Sequence, residues 1–346
     1  MTETVSIGNL ITPEMESRRG QWMGIETTST PISESDIRRW AIATYWPGEP
    51  ARLFVNEDYA KGGPWRGLVA PEDFNPFAWT TRPRPREAGV SAKGMSIDAF
   101  GVPTPHRHGP VPREVSLRIG GMNAGRVDEF GPRMRLGDVI TSRQRLRDWR
   151  EETTRLGPAL FVRNEIEWAN QRGEVVRRRL QTSLRYVSAN VVGEARERPP
   201  SKPTAASDIP PWSRTTGLEN WTRFAAVNDE FVDIHMDDDA GRRAGNADGA
   251  FGMGNLRYAY MINALRDWLG DGLTIQRLEC QFRAMNRKGD TLTVWGRVTS
   301  DVTSAGRRKL EFDLDVLNQD GVRTCPGTAI VEVPALTDPP LPGAAE

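Results

Sequence analysis

Residues 223–256 read RFAAVNDEFVDIHMDDDAGRRAGNADGAFGMGNL, and residues 39–74 read RWAIATYWPGEPARLFVNEDYAKGGPWRGLVAPEDF. Each stretch runs from an apolar helical segment through an acid-rich turn to a Gly/Ala-rich apolar helix start. Where the second copy has His235, the first has Phe54. The likeness continues downstream. Phe130 and Phe282 are each followed, at the same spacing, by a Gly-Asp pair, Gly137-Asp138 and Gly289-Asp290. Asn170-Gln171-Arg172-Gly173 then matches Asn318-Gln319-Asp320-Gly321. A repeat whose period is one small domain means two fused domains rather than a solenoid.

The length of 346 residues agrees with two domains. Lys+Arg and Asp+Glu both total 46, so the net charge is zero. That argues against a nucleic-acid partner, which needs a basic surface to displace counterions. Two cysteines, Cys280 and Cys325, exclude a disulfide scaffold and suggest a reducing compartment; both are expected in buried strands. The first twenty residues are charged and read as an arm, not a signal peptide. No run approaches the roughly 18 apolar residues of a membrane span. The expectation is a cytoplasmic protein without a membrane partner.

Along the first half, Ser33 caps a helix, with Asp36 closing a capping box, and the helix stops before Pro47. Phe74 to Trp79 reads as the start of a buried helix, interrupted by Pro76. Residues 80–112, rich in Pro, Arg and Gly, have no counterpart in the second half and read as an insert or lid. Strands are predicted over Val115–Ile119, Arg126–Phe130, Val139–Trp149, Leu160–Asn170 and Glu174–Tyr186, with a hairpin turn at Asn170–Gly173. The expected domains are 1–191 and 214–346, with a polar linker over 192–213. In the second half, Leu218–Val227 is a short helix and Phe251–Leu269 a long apolar one that must lie across a sheet. Strands follow over Thr274–Phe282, Thr291–Thr299, Lys309–Asn318 and Gly327–Val333. One long helix followed by antiparallel strands is α+β, not doubly wound.

Both halves resemble the MaoC-like hydratases and dehydratases, also called (R)-specific enoyl-CoA hydratases. The resemblance runs from about Gly20 to Val333. The family motif is Asp-x-Asn-Pro-(Ile/Leu)-His, an acidic helix, then Ala-His-Gly-Met. Here the frame is Glu230-Phe231-Val232-Asp233-Ile234-His235, then Asp237, then Ala250-Phe251-Gly252-Met253. Glu230 stands where the family has Asp, Val232-Asp233 replace Asn-Pro, and Phe251 replaces a His. The resemblance implies two fused hot-dog domains, each a curved antiparallel sheet around a long helix. It also implies reversible addition of water to a 2-enoyl-CoA, giving a 3-hydroxyacyl-CoA, expected as the (R) isomer. His235 and Glu230 would handle the protons around one water, with Asp229 and Asp233 near enough to compete with Glu230. The backbone of Gly252, at the long helix's N-terminus, would hold the enolate oxygen. Phe54 cannot transfer a proton, so the first half is expected to be catalytically degenerate and to help form the acyl pocket.

The clustered Trp40, Trp46, Trp65 and Trp79 hint that this pocket is roomy. Asp237 to Asp239 fit a helix N-terminus rather than catalysis. The resemblance implies a coenzyme A thioester as substrate, with no cofactor or metal expected. His106-Arg107-His108 lacks the further ligands of a metal site. A hot-dog thioesterase and a non-catalytic acyl-CoA-binding subunit remain open alternatives. The acyl group, the CoA-binding arginines and the choice between monomer and homodimer are not specified.

Overall fold

The repeated Gly-Asp and Asn-Gln-x-Gly motifs build the same local lock in both halves. In the first, Asp138 accepts from the Arg135 amide (2.9 Å), and Gln171 donates to Asp138 (3.1 Å) while accepting from the Val139 amide (3.0 Å). In the second, Asp290 accepts from the Arg287 amide (2.7 Å), and Gln319 bridges Asp290 and the Thr291 amide, both at 3.0 Å. Gly137 and Gly289 share a φ of 85°, and Gly173 and Gly321 lie at 78° and 77°. Only glycine adopts that left-handed backbone without steric cost.

The computed structural model describes residues 10–79, 89–91, 94–105, 119–154, 157–187, 206–244 and 246–335. In chain order it contains α1 (Pro13–Arg18), β1 (Met23–Thr27), α2 (Glu34–Tyr45), α3 (Glu57–Gly62), β2 (Gly89–Val90), β3 (Ser96–Ile97) and β4 (Ile119–Phe130). Then come β5 (Ile140–Thr154), β6 (Gly157–Asn170), β7 (Val175–Val187), β8 (Trp212–Thr215), α4 (Leu218–Asn228), α5 (Asp238–Arg243) and α6 (Gly254–Leu269). The chain closes with β9 (Thr274–Gln281), β10 (Thr291–Ser304), β11 (Arg307–Leu317) and β12 (Gly327–Pro334).

Ten strands form one antiparallel sheet in the order β1-β5-β6-β7-β4-β9-β12-β11-β10-β8. Read outward from the centre, the two halves have the same order, which is the duplication in three dimensions. They join edge to edge, with Gly125 opposite Gln281 and Glu129 opposite Arg277. Fusing the sheets at β4 and β9 removes two exposed strand edges. The duplicated hairpins even share a bulge, between Leu146 and Asp148 in one and between Val298 and Ser300 in the other.

Ser33 caps α2 with the expected capping box to Asp36. Every α6 residue from Leu256 to Arg266 is buried, which explains an apolar pattern that runs all round this helix. It packs on α2, β10 and β11. One core joins residues of both halves, among them Trp40, Phe54, Trp221, Tyr260 and Phe312. A second, smaller core gathers Leu10 and Met15 of the expected arm against Phe100, Leu146, Leu160 and Val162.

Several expectations are corrected. Phe74–Trp79 forms turns, and among the described residues the first half has no counterpart of α6. Pro76 interrupts helix formation there. The long helix begins at Gly254, not Phe251. The predicted strand at Arg126–Phe130 is the end of the longer β4, whereas residues 115–118 lie outside the described residues. The end of the expected linker is structured: Ile209 and Trp212 are buried, and Trp212 begins β8. Residues 192–205 of that linker lie outside the described residues, as do His106 to His108 and much of the expected insert. Both cysteines are buried, Cys280 in β9 and Cys325 in a bend before β12. No helix among the described residues is long and apolar enough to cross a membrane.

Candidate functional site

The two copies of the opening motif fold alike around the position that differs. Phe54 ends a 3-10 turn over Arg52–Phe54, and His235 ends one over Asp233–His235. Asn56 then caps α3 by accepting from the Tyr59 amide (2.8 Å), and Asp237 caps α5 by accepting from the Ala240 amide (2.7 Å). Phe54 is buried in the shared core. His235 is buried as well, with its ring edge-on to Phe251 and Nδ1 2.7 Å from the Phe251 carbonyl oxygen. A carbonyl only accepts, so Nδ1 carries a proton, and whenever the ring is neutral its lone pair is on Nε2.

Glu230 is placed by the end of α4. Asp229, the C-cap, takes a left-handed conformation (φ 51°), one of the few that a short polar side chain tolerates. The chain turns there, and Asp229, Glu230, Phe231 and Val232 line a cavity of about 560 Å³. Asn228 Nδ2 donates to Glu230 Oε2 at 2.7 Å, and Asn255 Nδ2, in the first turn of α6, approaches the same oxygen at 3.4 Å.

The amide orientations are dictated from outside. Arg126 only donates, so its Nη1 contact fixes Oδ1 of Asn255 as acceptor (3.1 Å) and turns the Asn255 amide nitrogen to Glu230. Across the halves, the Phe77 amide donates to Asn75 Oδ1 (3.0 Å), and Asn75 Nδ2 donates to Asn228 Oδ1 (2.9 Å). One chain of hydrogen bonds therefore runs from the first half through Asn75 and Asn228 to Glu230, and on through Asn255 to Arg126. Trp79 reinforces this closure, donating from Nε1 to the Ala226 carbonyl (2.7 Å) and packing edge-on against Phe231.

The opposite wall comes from the first half: Trp40, Asp73, Arg126, Trp168 and Arg179 all line the cavity. Asp128, fully buried behind it, accepts two hydrogen bonds from Arg179 (2.7 and 2.9 Å) and one from Tyr258 Oη (3.0 Å), with Arg126 Nε at 3.5 Å. Burial works to raise its pKa, but the Arg179 and Arg126 guanidiniums overcome it and hold the carboxyl well below the usual range. Asp73 is the reverse case. Burial outweighs Arg126 and the hydrogen bond from Trp40 Nε1 (3.0 Å), and its pKa is pushed up to about 6.

Of the residues expected from sequence, Glu230 and Asp229 reach the cavity. Asp233 does not line it, and its Oδ1 accepts from the adjacent Ile234 amide. His235 is likewise outside the lining. Gly252 is a correction. Its N–H is donated to the Asn286 carbonyl (2.9 Å) and so is not an oxyanion donor. A Cβ there would overlap the Asn286 amide and Trp221 Nε1, so glycine serves close packing. Asp73, Asn75, Arg126, Asn228 and Asn255 were not foreseen. Arg126 and Asp128 at i and i+2 share one face of a strand, and such a charged pair within β4 was the available signal.

A composite cavity walled by carboxylates, amides and arginines is lined by residues of both halves. Residues 19–179 match the family model described as FAS1-like, dehydratase domain region. Solved structures of similar fold include a MaoC-like dehydratase at 15% identity (TM-score 0.67), covering 92% of this chain and 99% of that one. A MaoC-like dehydratase from Phytophthora capsici aligns at 10% identity and TM-score 0.59, covering 95% of this chain and 98% of that one. A conserved hypothetical protein of Mycobacterium tuberculosis with a double hot-dog fold aligns at 13% identity and TM-score 0.53, covering 95% and 99%. No curated protein matches the chain by sequence. The chain shares the double hot-dog fold of these structures, and its residues 19–179 are similar to the FAS1-like dehydratase region.

Proposed function

We propose that the protein adds water reversibly to a 2-enoyl thioester of coenzyme A, giving the 3-hydroxyacyl thioester. The observation that carries this reading is Glu230, whose carboxylate is fixed at the cavity wall by Asn228 and Asn255. In the hydration direction a carboxylate so held accepts a proton from water as the oxygen attacks C3. His235, with Nδ1–H committed to the Phe251 carbonyl, offers Nε2 as the partner base. Electron density moves onto the thioester oxygen, and the enolate then takes a proton at C2. With Gly252 occupied, the first-turn amides of α6, beginning at Gly254, are the candidates to meet that oxygen at the positive end of the helix dipole.

A second reading, acyl-thioester binding without turnover, draws support from the engaged Gly252 amide and from the position of His235 outside the cavity lining. Incubation with crotonyl-CoA and longer or branched 2-enoyl-CoAs separates the two. Loss of the conjugated-enone absorbance, with 3-hydroxyacyl-CoA formed and the rate abolished in His235→Ala, supports hydration. Tight binding with no absorbance change on any of these esters supports the second reading.

A further inference from the structure

More than half of the residues lining the cavity have polar side chains. A plain hydrocarbon chain filling it would strip those groups of water and return no hydrogen bonds, which is costly for each one. Two of them are already dry. Asp73 is 5% exposed and Arg126 4%, yet Asp73 Oδ1 and Arg126 Nη2 have no hydrogen-bond partner. Both residues line the cavity, and their charges act directly on one another. One offers an acceptor and the other a donor.

We propose that the first-half wall of this cavity, Asp73 with Arg126, is a recognition subsite for an uncharged hydroxyl on the acyl group, remote from the reacting C2–C3 pair. The inference rests on the proposed acyl-thioester reading and names its substrate class: hydroxylated, not simple alkyl, acyl thioesters. A hydroxyl donates once and accepts once, which matches Asp73 Oδ1 as acceptor and Arg126 Nη2 as donor, while Arg126 Nε, also without a hydrogen bond, lies 3.5 Å from Asp128. Charge argues against a carboxylate at the same place. The lining carries four carboxylates (Glu26, Asp73, Asp229, Glu230) against two guanidiniums (Arg126, Arg179), and both guanidiniums are already engaged by Asp128. The near-neutral titration of Asp73 fits a carboxyl that a neutral partner satisfies without adding charge.

The test measures binding and turnover separately. Calorimetry compares hexanoyl-CoA, 6-hydroxyhexanoyl-CoA and the 5-carboxypentanoyl-CoA of matched length, and turnover is followed with the corresponding 2-enoyl esters. The expected result is binding of the hydroxylated ester at least about tenfold tighter than either other, since a polar pocket rejects analogues that lack its hydroxyl. That preference should vanish in Asp73→Leu, with a cooperative thermal melt showing that the variant is folded. Arg126→Gln, which keeps a donor, should retain part of it. Equal binding of the hydroxylated and alkyl esters overturns the proposal, and so does preference for the carboxylated ester. A hydroxyl preference in binding without turnover of any ester would remove the hydration reading and leave the subsite standing.

Discussion

Replacing Asp73 with asparagine should stabilise the protein at neutral pH and do so less as the pH falls. The wild-type carboxyl titrates at about 6 in the folded chain and near the ordinary aspartate value of 3.8 when unfolded. Its folded pKa is raised, so between those values the native state binds the extra proton, and stability falls as pH rises through the window. The gap of roughly two pKa units corresponds to about 3 kcal/mol, at about 1.4 kcal/mol per unit. About 2 kcal/mol of it falls between pH 4.5 and 7.5. The substituted amide keeps an acceptor for Trp40 and has no proton to lose. Denaturant unfolding of wild type and Asp73→Asn at both pH values isolates this residue. Asp128, held low, and Asp315, pushed up to about 6 by burial, titrate in both proteins and cancel in the difference. The variant's advantage should grow by about 2 kcal/mol from pH 4.5 to 7.5. An advantage that does not change with pH would refute the assignment of a dry, near-neutral carboxyl.

Asp128→Asn should destabilise by about 3–5 kcal/mol in denaturant unfolding, because Arg126 and Arg179 would be left buried against a neutral amide. Gly252→Ala should lower stability by about 1–3 kcal/mol, as its methyl enters the space of Asn286 and Trp221, and a thermal melt reads this directly. Asn228→Ala should reduce kcat about 10- to 100-fold with a smaller change in KM, because Glu230 loses its 2.7 Å donor and its orientation; a KM effect alone would speak against it.

The duplication was legible because its markers are local. Gly137, Gly289, Gly173 and Gly321 require a left-handed backbone, and the paired Asp and Gln side chains act within their own turns. The same holds for the Ser33–Asp36 cap and for Asp237, whose partners lie three residues away. Glu230 was singled out by the family frame that ends at His235, and it lines the cavity. What escaped notice depends on distant chain segments. Asp73 and Asn75 share a cavity with Glu230, Asn75 through its bond to Asn228, across a seam where α2 packs on α4, and Arg126 reaches Asn255 only because β4 pairs with β9. Gly252 was assigned to the wrong task because the Asn286 carbonyl that takes its N–H comes from a separate turn. Among the described residues the first half lacks that helix, a local rule overriding the repeat, since Phe74–Trp79 carries the apolar residues of a helix start but also Pro76.

The most direct measurement is the rate of hydration of a 2-enoyl-CoA substrate by wild type and by Glu230→Gln, an isosteric change that keeps both asparagine neighbours and removes the proton acceptor. Acid–base work at Glu230 predicts a loss of about 10²- to 10⁴-fold in kcat, with substrate still bound. A variant that hydrates within a few-fold of wild type would contradict the site, and release of free coenzyme A in place of the hydroxyacyl product would contradict the reaction.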